Sequence, residues 1–178
     1  MELELIRGCV KNDRVSQKKL FDTYAGKFMA IAKRYMKEDM SAEDVLMEGF
    51  CKIYNNIKSF KGEGSFEGWM RRIIVNTALN KIRKDNRDLL VYQEELTDKS
   101  GVEMMYIESM SAKDMMDMIE KMPLGYRTVF NMYAIDGFSH KEIANELNID
   151  EGTSRSQLSK ARKFLQERLK ENESNIRI

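Results

Sequence analysis

The 178-residue sequence predicts an all-α fold: two small helical domains joined by a flexible acidic linker, the C-terminal one a helix-turn-helix. Three observations point there. Apolar residues recur at steps of three and four, and no stretch alternates as a half-buried strand does. Proline occurs once, at Pro123, while Glu, Lys, Leu, Met and Ala dominate the rest. Between residues 88 and 111 the period fades and acids gather (Asp88, Glu94, Glu95, Asp98, Glu103, Glu108). That run is too long for a loop inside a compact domain, so it marks a boundary.

The elements follow in order. A short helix near Leu3 to Val10 precedes a longer one from Val15 to Tyr35, which carries Phe21, Tyr24, Phe28, Ile31 and Tyr35 at helical spacing. Ser41, with Asp44 three residues on, reads as a capped start. The stripe that helix would bury is Leu46, Phe50, Ile53 and Ile57. Residues 61–64, KGEG, are a loop, and Ser65 caps a further helix running to about Asn86. These elements make a first domain over residues 1–88, followed by a linker over 89–111. Ser111 with Asp114 opens a helix carrying Met115, Met116, Ile119 and Met122. Pro123 suits the first turn of the next helix, which bears Tyr126, Val129, Phe130 and Tyr133 and stops at Asp136-Gly137. The second domain spans 112–172, and residues 173–178 read as a frayed tail.

Composition narrows the function. Thirty basic against 29 acidic residues leave a net charge of +1, so any nucleic-acid binding must come from local clusters. The cysteines, Cys9 and Cys51, stand apart and His140 is the one histidine, so no metal site and no cofactor are expected. Two free, mostly buried thiols suit a reducing compartment. The N-terminus begins with acids rather than a signal-peptide pattern, and no run of about eighteen apolar residues occurs. A cytoplasmic location is expected. No phosphate-cradling glycine loop or paired acids with metal spacing suggest catalysis, so the chain reads as a non-enzyme.

The helix-turn-helix is the sharpest local signal. Ser139 caps a short helix and Glu142 completes a capping box. Ile143, Ala144 and Leu147 face inward, and small Ala144 lets two helices cross closely. Asn148 stands at the turn, where a left-handed backbone is needed. Ile149 plugs the core and Asp150 can cap the next helix. That helix keeps Leu158, Ala161, Leu165 and Leu169 on one side. The other side offers Arg155, Ser156, Gln157, Ser159, Lys160, Arg162 and Lys163. Arg and Gln pair with guanine and adenine edges, and Lys and Arg neutralise phosphates.

A second polar stripe lies on the helix that follows Ser65. Steps of three and four connect Trp69, Arg72, Asn76, Asn80, Arg83 and Arg87, opposite an inner face of Phe66, Met70, Ile73, Ile74 and Ala78. An aromatic among Arg and Asn suits unpaired bases, which stack on rings and bond through exposed edges. In isolation the stripe also fits a core tryptophan at a domain edge with solvated asparagines around it.

The order of segments resembles bacterial RNA polymerase sigma factors of the extracytoplasmic-function group. SAEDVLMEGFCKIY at 41–54, FKGEGSFEGWMRRIIVNTALNKIR at 60–83 and MPLGYRTVFNMYAIDGFSHKEIANELNIDEGTSRSQLSKAR at 122–162 carry the resemblance, which covers residues 3–172. It implies a promoter-specificity subunit of core RNA polymerase. The helix at 41–57 would bind the polymerase clamp coiled coil, with Glu43, Asp44, Met47, Glu48 and Phe50 at the matching positions. Ser65, Trp69, Arg72, Asn76, Asn80 and Arg83 would capture the melted strand of the minus-ten element. Arg155, Ser156, Gln157, Ser159, Lys160 and Arg162 would read the minus-thirty-five duplex while the module rests on the polymerase flap. The linker would thread the polymerase channel, and an anti-sigma partner, often a membrane protein, is implied. The competing reading is a free-standing helix-turn-helix regulator with an N-terminal sensing or dimerisation domain, though no heptad seam or ligand-pocket signal supports it.

Overall fold

The computed structural model describes residues 2–85 and 112–176, with backbone alone at 112, 113 and 171–176. The chain forms two compact units, Met1–Asp85 and Asn86–Ile178, and every described element in both is helical. The expected linker at 89–111, Arg87, the Ser111 cap and the last residues of the tail lie outside the described residues.

The first unit contains α1 (Glu2–Val10), α2 (Arg14–Tyr35), α3 (Asp39–Asn56), a 3-10 turn (Ile57–Ser59) and α4 (Phe66–Asp85). The helices α2, α3 and α4 pack pairwise, with α1 against α2. Leu20, Phe28, Ile53, Met70, Ile74 and Leu79 are wholly buried, so the expected helical stripes meet in one core. Phe50 sits among rings, 4.7 Å from Phe21, 5.9 Å from Phe28 and 5.9 Å from Tyr54. The Tyr54 hydroxyl donates to the Gln17 carbonyl at 2.8 Å, and burial pushes its pKa up to about 12. Asp13 caps α2, accepting from the Ser16 N–H at 2.9 Å. Bonds from Ser16 hold that carboxyl below its ordinary range.

Two expectations fail here. The helix α3 begins at Asp39, so Ser41 lies inside its first turn and is no cap. Glu38 is the N-cap and makes no side-chain cap bond. Asp39 supplies the negative charge a helix N-terminus favours, and it pairs with Lys33 at 2.9 Å. The cysteines also differ from each other. Cys9 is buried, but Cys51 is exposed, because it follows Phe50 onto the opposite side of the helix. Gly49 is buried where α3 meets α4, and a Cβ there would collide with Ile74 Cδ1. The missing side chain weakens an isolated helix by about 1 kcal/mol but permits this close approach.

The second unit contains α5 (Ala112–Glu120), α6 (Leu124–Phe130), a π-helical turn (Asn131–Ile135), α7 (His140–Leu147) and α8 (Glu151–Ile176). The helices α5, α6 and α7 each pack on α8. The core joins Met118, Ile119 and Met122 to Ala161 and Leu165. Pro123 is the N-cap of α6 rather than its first helical residue. Arg127 is 3% exposed, and its Nη1 donates to the Glu120 carbonyl at 3.0 Å. Burial lowers its pKa. The chain turns at Gly137, whose φ of +76° is the left-handed conformation glycine tolerates.

The capping box and the turn of the helix-turn-helix match their expected local chemistry. Ser139 accepts from the Glu142 N–H at 3.2 Å, and Glu142 accepts from the Ser139 N–H at 2.9 Å. Ile143, Ala144 and Leu147 are buried, and Asn148 makes the turn at φ 54° and ψ 49°. Ile149 is only half-buried. The Asp150 carbonyl accepts from the Ser154 N–H at 3.0 Å as α8 begins.

Candidate nucleic-acid and polymerase-docking surfaces

The stripe on α4 is built from the residues the spacing singled out. Ser65 caps the helix, its Oγ accepting from the Gly68 N–H at 3.2 Å, so that hydroxyl orients the loop before α4. Residues 61–65 are exposed, and Gly62 and Gly64 have positive φ. Trp69 is half-buried, its ring stacked 5.7 Å from Phe66 and tilted 5.7 Å from Phe60. It therefore belongs to the core edge and to the surface at once. Arg72 and Asn80 are exposed, while Asn76 and Arg83 are half-buried. Arg83 Nη2 donates to Asn80 Oδ1 at 2.8 Å, which engages the oxygen of that amide. The stripe thus holds an aromatic edge, two amides and two guanidiniums on one helix face.

The outer face of α3 is acidic and apolar together. Met40 is 75% exposed and Met47 56%, and Glu43, Asp44, Glu48 and Cys51 share their side of the helix. Asp44 pairs with Lys81 of α4 at 2.7 Å, which raises the lysine pKa. Glu48 pairs with Lys52 at 2.7 Å, and that bond lowers the Glu48 carboxyl. Phe50 does not belong to this face. It is 2% exposed and held among three aromatic rings, so its side chain cannot reach a partner. The spacing places it on the buried stripe with Leu46 and Ile53, and, contrary to the docking expectation, it takes no part in the outer face.

On α8, Arg155 is largely exposed and pairs with Glu151 at 2.6 Å. Arg162 is exposed, and Ser156, Ser159 and Lys160 are half-buried. The Ser156 hydroxyl donates to the Thr153 carbonyl at 3.0 Å. Gln157 departs from the expected reading face. It is 6% exposed, lies over Gly125 of α6 and has its Oε1 buried without a hydrogen-bond partner. A side chain in that position cannot reach a groove. The reason is helix phase: Gln157 stands four residues before the buried Ala161, on the ridge that packs α8 against α6. Ser154 is buried too, and its Oγ lies 2.9 Å from Nδ1 of His140, tying α7 to α8. His140 stacks on Tyr133 with ring centroids 4.4 Å apart. Neither contact had a signal in the spacing.

Among the described residues no group of three or more His, Cys, Asp or Glu side chains could hold a metal ion, and no helix is long and apolar enough to cross a membrane.

Comparison with known proteins identifies the family. Residues 20–88 match the Sigma-70 region 2 family and residues 112–165 the Sigma-70, region 4 family. The chain is 28% identical over 177 residues to the ECF RNA polymerase sigma-E factor of Haemophilus influenzae, covering 93% of each chain. It is 28% identical over 178 residues to the ECF RNA polymerase sigma factor SigW of Bacillus subtilis, covering 93% of this chain and 95% of that one. Its fold is similar to the sigma factor RpoE of Bartonella quintana, solved in complex with the anti-sigma factor NepR. That match has a TM-score of 0.56 and 22% identity, and covers 86% of this chain and 96% of the other. The two regions occupy the two units described above, and the chain belongs to the sigma-70 family, in its extracytoplasmic-function group, as a sigma factor that directs RNA polymerase in transcription initiation.

Proposed function

We propose that the two polar stripes read two forms of one promoter. The stripe of Trp69, Arg72, Asn76, Asn80 and Arg83, with the loop that Ser65 orients, captures the melted minus-ten strand. A half-exposed ring beside amides and guanidiniums is the chemistry that unpaired bases require. The face of Arg155, Ser156, Ser159, Lys160 and Arg162 reads the minus-thirty-five duplex by groove contacts and phosphate neutralisation. The observation that carries this reading is their separation: two exposed cationic faces of unlike chemistry stand on different compact units.

The α3 face docks core polymerase through Glu43, Asp44, Met47 and Glu48, the methionines supplying adaptable apolar contact among the acids. The second unit rests on the polymerase flap. The working division of the chain is 1–88, a linker at 89–111, 112–172 and a tail. A solved relative is held by an anti-sigma factor, and a soluble or membrane-anchored inhibitor of that kind is the partner proposed here. The protein performs no catalysis of its own, needs no cofactor and works in the cytoplasm, where its DNA is.

Run-off transcription with core polymerase and genomic templates tests the reading. Initiation at discrete promoters is expected. Core that starts nowhere with this protein, together with tight polymerase-free binding to a short duplex, would transfer the case to a free-standing regulator.

A further inference from the structure

A cavity of about 250 Å³ opens between α6 and α8 in the second unit. Tyr126 contributes from α6, and Ser156, Ser159, Lys160, Lys163, Phe164 and Glu167 from α8, so two rings floor a polar rim. Three of these, Ser156, Ser159 and Lys160, are also positions of the duplex-reading face, so cavity and face are continuous. The Lys160 ammonium lies over the Tyr126 ring, 5.7 Å from its centroid. A lysine head is a strongly hydrated point charge on a flexible stem, and a ring beneath it restricts where that charge can sit. The Ser159 hydroxyl and two ammoniums share this opening, while the Ser156 hydroxyl donates to the Thr153 carbonyl; a cationic concavity of this kind suits a single phosphodiester. Glu167 stands one turn beyond Lys163, about 6 Å along the helix, and marks the C-terminal end of the cationic part next to Lys163 rather than Lys160.

We propose that this cavity receives one backbone phosphate of the minus-thirty-five duplex, and that Tyr126, outside the recognition helix, is the positioning residue that aims Lys160 at it. The inference rests on the duplex reading proposed above. It assigns Lys160 to the backbone, leaving base discrimination to Arg155 and its neighbours on the other flank of α8.

The test uses full-length protein with core polymerase, on a promoter mapped by run-off transcription, with affinity measured against salt concentration. Lys160→Met is expected to reduce the salt slope by about one. Between 50 and 200 mM salt that makes the loss of affinity roughly three- to fourfold smaller than for wild type. Tyr126→Leu should lower the slope in the same sense, Tyr126→Phe should restore it, and Tyr126→Leu added to Lys160→Met should change it no further. A slope unaltered by Lys160→Met overturns the phosphate seat, even where Tyr126→Leu fails to fold. A slope lowered by Lys160→Met but not by folded Tyr126→Leu overturns the positioning role. A wild-type holoenzyme that finds no promoter instead defeats the duplex reading itself.

Discussion

The helices α4 and α8 both carry an arginine-bearing polar row, with amides on α4 and hydroxyls on α8, but they are seated differently. On α4 the row from Trp69 to Arg83 runs along the edge of the core, with Trp69, Asn76 and Arg83 half-buried and no member fully buried. On α8 the polar run from Ser154 to Arg162 winds around the helix, and two of its residues, Ser154 and Gln157, pack inside. The helix α4 crosses α2 and α3 through a broad apolar face, so its polar stripe is what remains. The helix α8 is clasped from several sides by short helices, and part of its polar surface becomes interface. Polar character alone therefore marks the outward face of a helix packed from one side. On a helix packed from several, the phase relative to buried residues must be read as well.

The largest test of this contrast concerns Phe50, the one docking candidate that the packing of α3 takes inside. Phe50→Ala should cost about 3–5 kcal/mol of stability in the first unit, read by thermal or denaturant unfolding. A well-folded Phe50→Ala that had lost only polymerase binding would return the residue to the surface.

The stripes themselves come next. Asn80→Ala should lose about 1–3 kcal/mol in open-complex formation while core binding is retained. Arg155→Ala should lose about 1–3 kcal/mol of discrimination at a single upstream position. A uniform loss over all upstream sequences would make Arg155 a phosphate contact instead.

Gln157→Leu should leave base preference unchanged and keep or raise the melting temperature, since it removes a buried amide oxygen that has no hydrogen-bond partner and leaves an apolar group of similar size. A shift in preference at one base pair would restore Gln157 to the reading face.

The smallest expected effect is on pH. Burial, then Arg155, lowers the His140 pKa below 6.5, with Arg162 acting in the same sense and Glu151 against it. The unfolded chain therefore takes up the proton first as pH falls. The second unit should lose stability as pH drops below 6.5 towards the folded pKa, and gain nothing above it. Thermal unfolding from mildly acidic to neutral pH reads this slope, which should be absent from His140→Gln.

Much of the fold was legible because its signals are short-range. The Ser139–Glu142 box, the left-handed Asn148, the Gly137 stop and the buried stripe of α3 each depend on residues within a few turns of one another. What escaped depends on distant partners. Gly49 reads as a weak point in a helix until Ile74, on another helix, shows why a side chain is excluded. The start of α3 moved because acids at Glu38 and Asp39 complement a helix N-terminus as a serine cap would, and spacing cannot rank the two. Cys51 is indistinguishable from a core thiol until the helix is rotated against Phe50. The tyrosine beneath Lys160 lies 34 positions away in sequence and on another helix, beyond the reach of any motif.

Holoenzyme binding to two separate probes tests the division of labour most directly: a duplex carrying only the upstream element, and a single strand carrying only the minus-ten element. The account predicts that Arg155→Ala weakens the duplex alone and Asn80→Ala the single strand alone. Equal weakening of both probes by either variant would contradict it.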